Sequence, residues 1–341
     1  MLTSQETEKR ERLRLSKPLV FDKIIRYEER YARGESVAVI QLQYNYICNM
    51  KCVHCSISSF QKQSGRTMTP ADVKNLCDQA DEYGLAQLDL TGGEPLAFKD
   101  LDEVIKAIDP RRFFLMCDTN GWLMTEEKVR HLKDLGVDKI QLSLDSMDAK
   151  AHDDFRRKPG AWMRAIKAID AVNKVGLFLQ ISTVLTNERV LSDEFVDFLE
   201  FCKSNNASVN AIWAKPVGEY AGRMDTLVAP EVNARIIELR GKYDLGGMHT
   251  MKHFGVSYGC IAVKKLISIT AYGDVMPCIW MYYSLGNIFD TPLRDILEKG
   301  MKIFGDFYSV CRMSESPEFV ARYNENTKGK HVPVNIDEVN L

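Results

Sequence analysis

The chain has 341 residues, 45% apolar and 27% charged, near the average of a globular protein and far from disordered or fibrous composition. Its 45 Lys and Arg against 47 Asp and Glu leave a net charge of −2, without the basic excess that a nucleic-acid partner demands. No apolar run reaches the ~18 residues of a spanning helix, and the charged start MLTSQETEKRERLRLSKP lacks a signal-peptide core, so the chain reads as soluble and cytoplasmic, with no membrane partner.

Residues 1–35 read as a charged helical lead-in. A repeating unit follows: a short β-branched run, a turn, then a helical pattern. Strands are expected at 37–44, 87–91, 112–118, 139–143, 177–185 and 208–213. Helices are expected between them at 70–82, 101–107, 126–135, 161–175 and 192–204. Thr69 before Pro70, and Thr125, are helix starts, with a hydroxyl to cap the first turn. Gly84, Gly136 and Gly176 follow helix ends, where left-handed backbone suits glycine. Strands alternating with helices at roughly 30-residue spacing predict parallel βαβ units, in an open sheet or a partial barrel. From about Pro216 the rhythm stops. A helix near 230–243 leads to a different module, in which LISITAYGDVMPC reads as a hairpin turning at 272–274 and PLRDILEKG as one more helix. The expected domains are 1–35, 36–222 and 223–341.

The cysteines are Cys48, Cys52, Cys55, Cys77, Cys117, Cys202, Cys260, Cys278 and Cys311. An odd number in a long intracellular chain is a poor disulfide framework. Their clustering at both ends points to metal. Cys48, Cys52 and Cys55 form C-x3-C-x2-C on the loop after the first strand. Zinc wants four ligands in a closed tetrahedron; only three cysteines are local, and His54, beside Cys55, is an awkward fourth. Three thiolates on one loop suit three irons of a [4Fe-4S] cluster, leaving one iron for an outside ligand.

On these three cysteines the chain resembles the radical S-adenosylmethionine (SAM) superfamily. Gly92-Gly93-Glu94-Pro95, Thr119-Asn120-Gly121, Ser143-Leu144-Asp145-Ser146 and Pro216-x-Gly218 follow strands two, three, four and six and match that family in order. The resemblance covers about residues 37–222. It implies an α/β fold, a partial (β/α)6 TIM-like barrel that binds SAM across the carboxyl ends of its strands. It also implies Gly92, Gly93 and Glu94 at the methionine end of SAM, where glycines admit close backbone approach and a carboxylate accepts from the ammonium. Asn120 falls in the same cofactor site. Ser143 is expected at the SAM carboxylate or ribose, or as a plain helix cap, and His54 beside the adenine. The implied activity is reductive cleavage of SAM to methionine and a 5′-deoxyadenosyl radical that abstracts hydrogen. A flavodoxin- or ferredoxin-type reductant is the implied electron source.

The C-terminal pattern C-x12-G-x4-C, from Cys260 through Gly273 to Cys278, is similar to the Twitch module, the short form of SPASM. That similarity implies an auxiliary iron–sulfur cluster in a small α+β module, with Cys311 as third ligand and the fourth open; the other reading is three packing thiols. The module is expected against the open bottom or side of the barrel, with substrate between the two clusters. Cys77 and Cys202 read as core. Cys117 is either a buried structural thiol or a hydrogen-atom donor, and Asp118 and Lys215 either touch substrate or are rim charges. The favoured substrate is a small polar metabolite undergoing dehydrogenation, epimerisation or decarboxylation. Alternatives are a peptide-modifying (RiPP) maturase, a two-cluster electron-transfer protein, and a GTP cyclase. Asp89 stands against the cyclase, because that position should carry an arginine for phosphate.

Overall fold

The computed structural model describes residues 4–246, 252–253 and 256–341. Six parallel strands form its centre: β1 Val39–Asn45, β2 Gln87–Gly92, β3 Phe114–Thr119, β4 Lys139–Ser143, β5 Phe178–Leu185 and β6 Ser208–Trp213. They stand in sequence order, each in parallel register with the next, as helical crossovers require. The short β7 Leu245–Gly246 extends the β6 edge, and β8 Lys252–His253 pairs with β9 Val256–Ser257. On the other edge, β10 Leu266–Ile269 pairs in parallel with β1 and antiparallel with β11 Val275–Met276. The outermost strands of this sheet, β11 and β7, do not pair with each other, so the barrel is open. A separate parallel pair joins β12 Tyr283–Ser284 to β13 Val334–Asn335.

The hairpin that the sequence assigned to the appended module is therefore part of the barrel sheet. Val37 and Val39 begin the ladder by donating to the carbonyls of Lys264 and Lys265 at 3.0 and 2.8 Å. Residues 266–269 are mostly fully buried, and an apolar strand buried on both faces is what a parallel sheet accepts at its edge. The consequence is positional: the segment 260–278 lies at the β1 edge, beside the strand whose exit carries the first cysteine group.

Strand parity divides the sheet into two chemistries. Leu42, Leu90, Cys117, Ile140 and Leu179 share one register row and are buried in the apolar core beneath the helices. The neighbouring positions face the lumen and, apart from Met116 and Phe178, are polar. Gln141 donates to the Asp118 carboxylate at 2.9 Å, Asn210 to the Gln141 carbonyl at 2.8 Å, and Gln43 to the Ser268 hydroxyl at 2.8 Å.

The lead-in is three helices, Ser4–Ser16, Pro18–Ile24 and Tyr27–Ala32, the first ending ahead of Pro18. Val20, Ile24 and Tyr27 pack with Val37, Ala86 and Tyr258 in a second small core. Lys17 donates to the carbonyls of Phe113 and Gly136, and Lys23 to those of Leu85 and Arg112. These loops precede β2, β3 and β4, so the lead-in covers the end of the barrel away from the cysteines. Among the described residues, no helix is long and apolar enough to cross a membrane.

Helix boundaries follow the expected caps. Thr69 and Asp72 form a reciprocal capping box on the helix Pro70–Tyr83, and the Thr125 hydroxyl accepts from Lys128 N at 3.1 Å. Gly84, Gly136 and Gly176 all have positive φ. The helices Ala149–Arg156, Asn187–Leu191, Arg312–Glu315 and Pro317–Thr327 were not expected; in the first, AKAHDDFR offers little apolar periodicity, and the Asp148 carboxylate caps it by accepting from Ala151 N at 2.7 Å. Replacing Thr69 with Ala should lower stability by about 1 kcal/mol, read as a lower urea midpoint with an unchanged slope. An unaltered midpoint would mean that the Pro70 turn holds the helix start without its cap.

Candidate active site

Cys48, Cys52 and Cys55 lie on the loop that leaves β1, and three other strand exits close on that loop. Gly93 N donates to Asn45 O and Glu94 N to Ile47 O, both at 2.8 Å. A Cβ on Gly92 would stand 2.2 Å from Asn45 O, and one on Gly93 2.0 Å from Ile47 O. Only glycine allows β2 to exit this close to the cysteine loop. At the β6 exit, Glu219 N donates to Cys55 O at 3.0 Å, and a Cβ on Gly218 would meet that same oxygen at 2.2 Å. From the helix Ala149–Arg156, Phe155 O accepts from Val53 N at 2.9 Å.

Glu94 is 1% exposed and collects three donors: Thr119 Oγ1 at 2.7 Å, Asn120 N at 2.7 Å and Leu96 N at 3.2 Å. Burial nevertheless pushes its pKa up to about 7. A carboxylate has about four acceptor sites, so one more donor fits, and a cation there would offset the burial. Asn120 also donates through Nδ2 to Asn49 Oδ1 at 2.8 Å, tying the β3 exit to the cysteine loop. Asn49 Nδ2 and His54 Nδ1 are buried without a hydrogen-bond partner among the described residues. Two orphaned polar atoms on one loop mark a place that a polar ligand completes.

His54 stacks on Phe155 with centroids 4.4 Å apart and planes 12° apart. Burial, with Arg156 nearby, drives its pKa down to about 3, so the ring is neutral. One ring face is therefore taken by Phe155. Ser143 ends β4 in register with Ser182, on the lumen side with Gln141. Asp118 also faces the lumen, its carboxyl raised well above the usual range by burial and by Asp89.

Four of the six clustered cysteines share a local signature. The sulfur of Cys48 accepts from Met50 N, and that of Cys55 from Ile57 N. Cys260 accepts from the N–H groups of Ala262 and Arg312, and Cys278 from those of Trp280 and Met281. In each of these four the donor two residues on bends back to the sulfur. Cys117 and Cys202 have no such backbone donor among the described residues and are raised by burial. Cys260, Cys278 and Cys311 are all buried and feel one another's charge, as do Cys48, Cys52 and Cys55. The turn that holds Cys260 is as tight as that at Gly93: a Cβ on Gly259 would stand 2.0 Å from Tyr308 O.

The donor set fits iron–sulfur clusters rather than single ions. Among the described residues, no three His, Cys, Asp or Glu side chains converge as one metal ion requires. A multi-iron cluster puts each thiolate on its own iron, so its sulfurs stand farther apart. Burial raises the Cys55 thiol to about 11, and coordination is what would ionise it.

Two expected residues have other surroundings than anticipated. Cys117 points away from the lumen into the apolar layer with Leu90 and Ile140, because its strand parity is opposite to that of Asp118. A hydrogen-atom donor must reach the lumen, so of the two expected readings the placement of Cys117 fits the buried structural thiol. Lys215, just past β6, is 5% exposed and lies by the second cysteine group, its Nζ 6.0 Å from the Trp280 ring centre. Asn49, Thr119, Asp145 and Arg156 were not foreseen as site residues. Of these, Arg156 and Asp145 could have been suspected from SLDSMDAKAHDDFR, where two opposite charges bracket a short polar helix.

Comparison with known proteins agrees with this geometry. The family model for the radical SAM superfamily matches residues 42–202, and that for SPASM, an iron–sulfur cluster-binding domain, matches residues 260–313. The AdoMet-dependent heme synthase of Methanosarcina barkeri is 26% identical over 74% of this chain and 79% of its own. Streptococcus suis SuiB, solved with its precursor peptide SuiA, superposes with TM-score 0.62 at 19% identity, over 80% of this chain and 67% of that one. Native anSMEcpe with bound AdoMet gives 0.63 at 14% identity, over 84% and 94%. At such identities the two solved structures bear on fold alone.

If Glu94 holds the SAM ammonium, Glu94→Gln should weaken SAM binding by about 1.5–3 kcal/mol, roughly ten- to hundredfold, with iron content unchanged. Equal affinity in calorimetry would leave Glu94 as a brace for Thr119 and Asn120 only.

Proposed function

The chain is a radical SAM enzyme with an appended iron–sulfur cluster-binding domain, and from that premise we propose that it abstracts hydrogen from a small, anionic organic substrate held between its two cysteine groups. The reaction class is dehydrogenation, epimerisation or decarboxylation. In this reading Cys48, Cys52 and Cys55 hold the SAM-cleaving cluster, and Cys260, Cys278 and Cys311 the auxiliary one. A cluster held there would supply the single electron for reductive cleavage of SAM to methionine and a 5′-deoxyadenosyl radical.

The chain's own groups do the binding and positioning. Glu94 takes the methionine ammonium, Gly92 and Gly93 let the backbone close on it, and Ser143 and Asn120 flank it. The polar lumen, with Asp118, Gln141 and Asn210, receives the uncharged polar part of the substrate. Fixing the substrate beside the radical gains rate through orientation and exclusion of water.

Lys215 is the observation that carries the anionic substrate. A lysine ammonium is rarely buried without a partner, because its desolvation is costly. Here the residue is 5% exposed, and no hydrogen bond or ion pair of its ammonium is described. Trp280 lines one side at cation–π range, and Cys260, Cys278, Cys311 and Glu315 lie within electrostatic reach. A carboxylate or similar group entering beside the second cysteine group would complete it. Among the similar proteins, the heme synthases make a small molecule and SuiB was solved with a precursor peptide, so the substrate class is read from Lys215.

Under dithionite with SAM, a deuterated carboxylate-bearing substrate should transfer deuterium into 5′-deoxyadenosine. Lys215→Met should raise KM for that substrate roughly tenfold or more, while substrate-free SAM cleavage continues. An unchanged KM, or deuterium transfer from peptides alone, would overturn the reading.

A further inference from the structure

Arg156 is a buried cation set against a cysteine sulfur. It ends the helix Ala149–Arg156 and is 7% exposed. Its Nη1 donates to Cys52 Sγ at 3.8 Å. Its Nε and Nη2 both lie 2.7 Å from Asp145 Oδ2. The other carboxylate oxygen of Asp145 accepts from Val184 N at 3.1 Å, so the pair is anchored to β5. Burial alone would raise the Asp145 carboxyl, but Arg156, with His54 and His152, holds it down to about 2. Both partners are thus charged at any working pH.

The three cysteines of this group are treated unequally. Cys48 and Cys55 receive neutral backbone N–H donors from Met50 and Ile57. Cys52 receives a cationic donor, the guanidinium of Arg156. Charge-assisted hydrogen bonds are about twice as strong as neutral ones, and hydrogen bonds and net charge at the sulfurs set the potential of an iron–sulfur cluster. Reduction adds negative charge, and a cation on a coordinating sulfur stabilises that state more than the oxidised one. The carboxylate of Asp145 lies on the far side of the guanidinium and partly neutralises it.

We propose that Arg156 raises the reduction potential of the cluster held by Cys48, Cys52 and Cys55 through its hydrogen bond to the Cys52 sulfur, and that Asp145 fixes the guanidinium in the orientation that delivers this bond. Arg156 is a positioning residue that acts through Cys52; it need not touch substrate. The inference rests on the reading that this group holds the SAM-cleaving cluster. The opposing account is structural: the Asp145–Arg156 pair merely pins the helix to the barrel, and a structural pin leaves the potential where it was.

The test is an EPR-monitored redox titration, without substrate, of the signal that SAM perturbs. Arg156→Gln keeps a neutral donor and loses the charge. At a fixed solution potential its reduced-to-oxidised ratio should fall about tenfold, which for one electron is a 59 mV shift to lower potential. Arg156→Lys should restore most of the loss. Full iron content with an unmoved midpoint in Arg156→Gln overturns the proposal. Should that variant fail to bind iron, the parent enzyme decides the matter when grown with guanidinium-15N arginine. Pulsed EPR of the reduced, SAM-responsive signal should show 15N coupling, and its absence overturns the proposal equally. A parent enzyme with no SAM-responsive signal at all would instead strike the cluster reading on which the proposal stands.

Discussion

Sulfur position, fixed by backbone N–H groups before any metal arrives, is the constraint on which the rest of this molecule depends. A thiol in an apolar interior is pushed toward its neutral form, as at Cys117 and Cys202. Of the clustered cysteines, Cys260, Cys278 and Cys311 are buried too and Cys48, Cys52 and Cys55 half-buried, but four of the six are met by main-chain donors from the following two or three residues. That geometry demands loops that turn sharply and are then locked. The locks are the close approaches at Gly93, Gly218 and Gly259, where a single methyl group would collide with a carbonyl oxygen. The barrel serves these loops, because parallel strands deliver all their exits to one end.

The placement of the second cysteine group follows from the pairing of β10 with β1. Without that pairing the C-terminal segment would be an appendage, and its distance from the first group would be set by a linker. With it, Cys260 and Cys278 flank a hairpin that is itself a continuation of the barrel sheet. Tyr282 marks how near the two groups are: its hydroxyl donates to Ser56 O, and its ring packs edge-on against Phe60. It feels the charge of both Cys55 and Cys278. Lys215 leaves β6 three residues before Gly218, whose contact is with Cys55, and its ammonium lies by the other group. The space between the groups is therefore bounded by short, rigid connections.

Much of this was legible in the sequence where one residue decides the local structure. Lys139–Ser143 and Ser208–Trp213 are strands at the expected bounds, since β-branched and apolar runs there are closed by turn residues. Glycines after helices, threonine caps and the glycine pair before Glu94 also declared themselves, because few other residues can do those jobs. What was not legible depended on partners distant in the chain. Nothing in LISI states that it will pair in parallel with β1 rather than fold back in a separate module. The face of Cys117 turns on a strand parity that shifts if the strand begins one residue later. The helix Ala149–Arg156 is held by Asp148 and by contacts of Phe155 and Arg156 to the cysteine loop, not by a periodic apolar stripe. Arg156, and Asp145 ahead of the helix, were visible as letters, and only the fold put Arg156 against Cys52 and Asp145 behind it.

The account claims that both cysteine groups bind clusters and that each does so independently. Iron quantitation with Mössbauer spectroscopy on a Cys48/Cys52/Cys55→Ala chain tests that most directly. The account predicts about four irons remaining per chain, as a cluster insensitive to SAM and lost on further Cys278→Ala substitution. A folded triple variant that holds no iron would contradict it, and would leave Cys260, Cys278 and Cys311 as packing thiols.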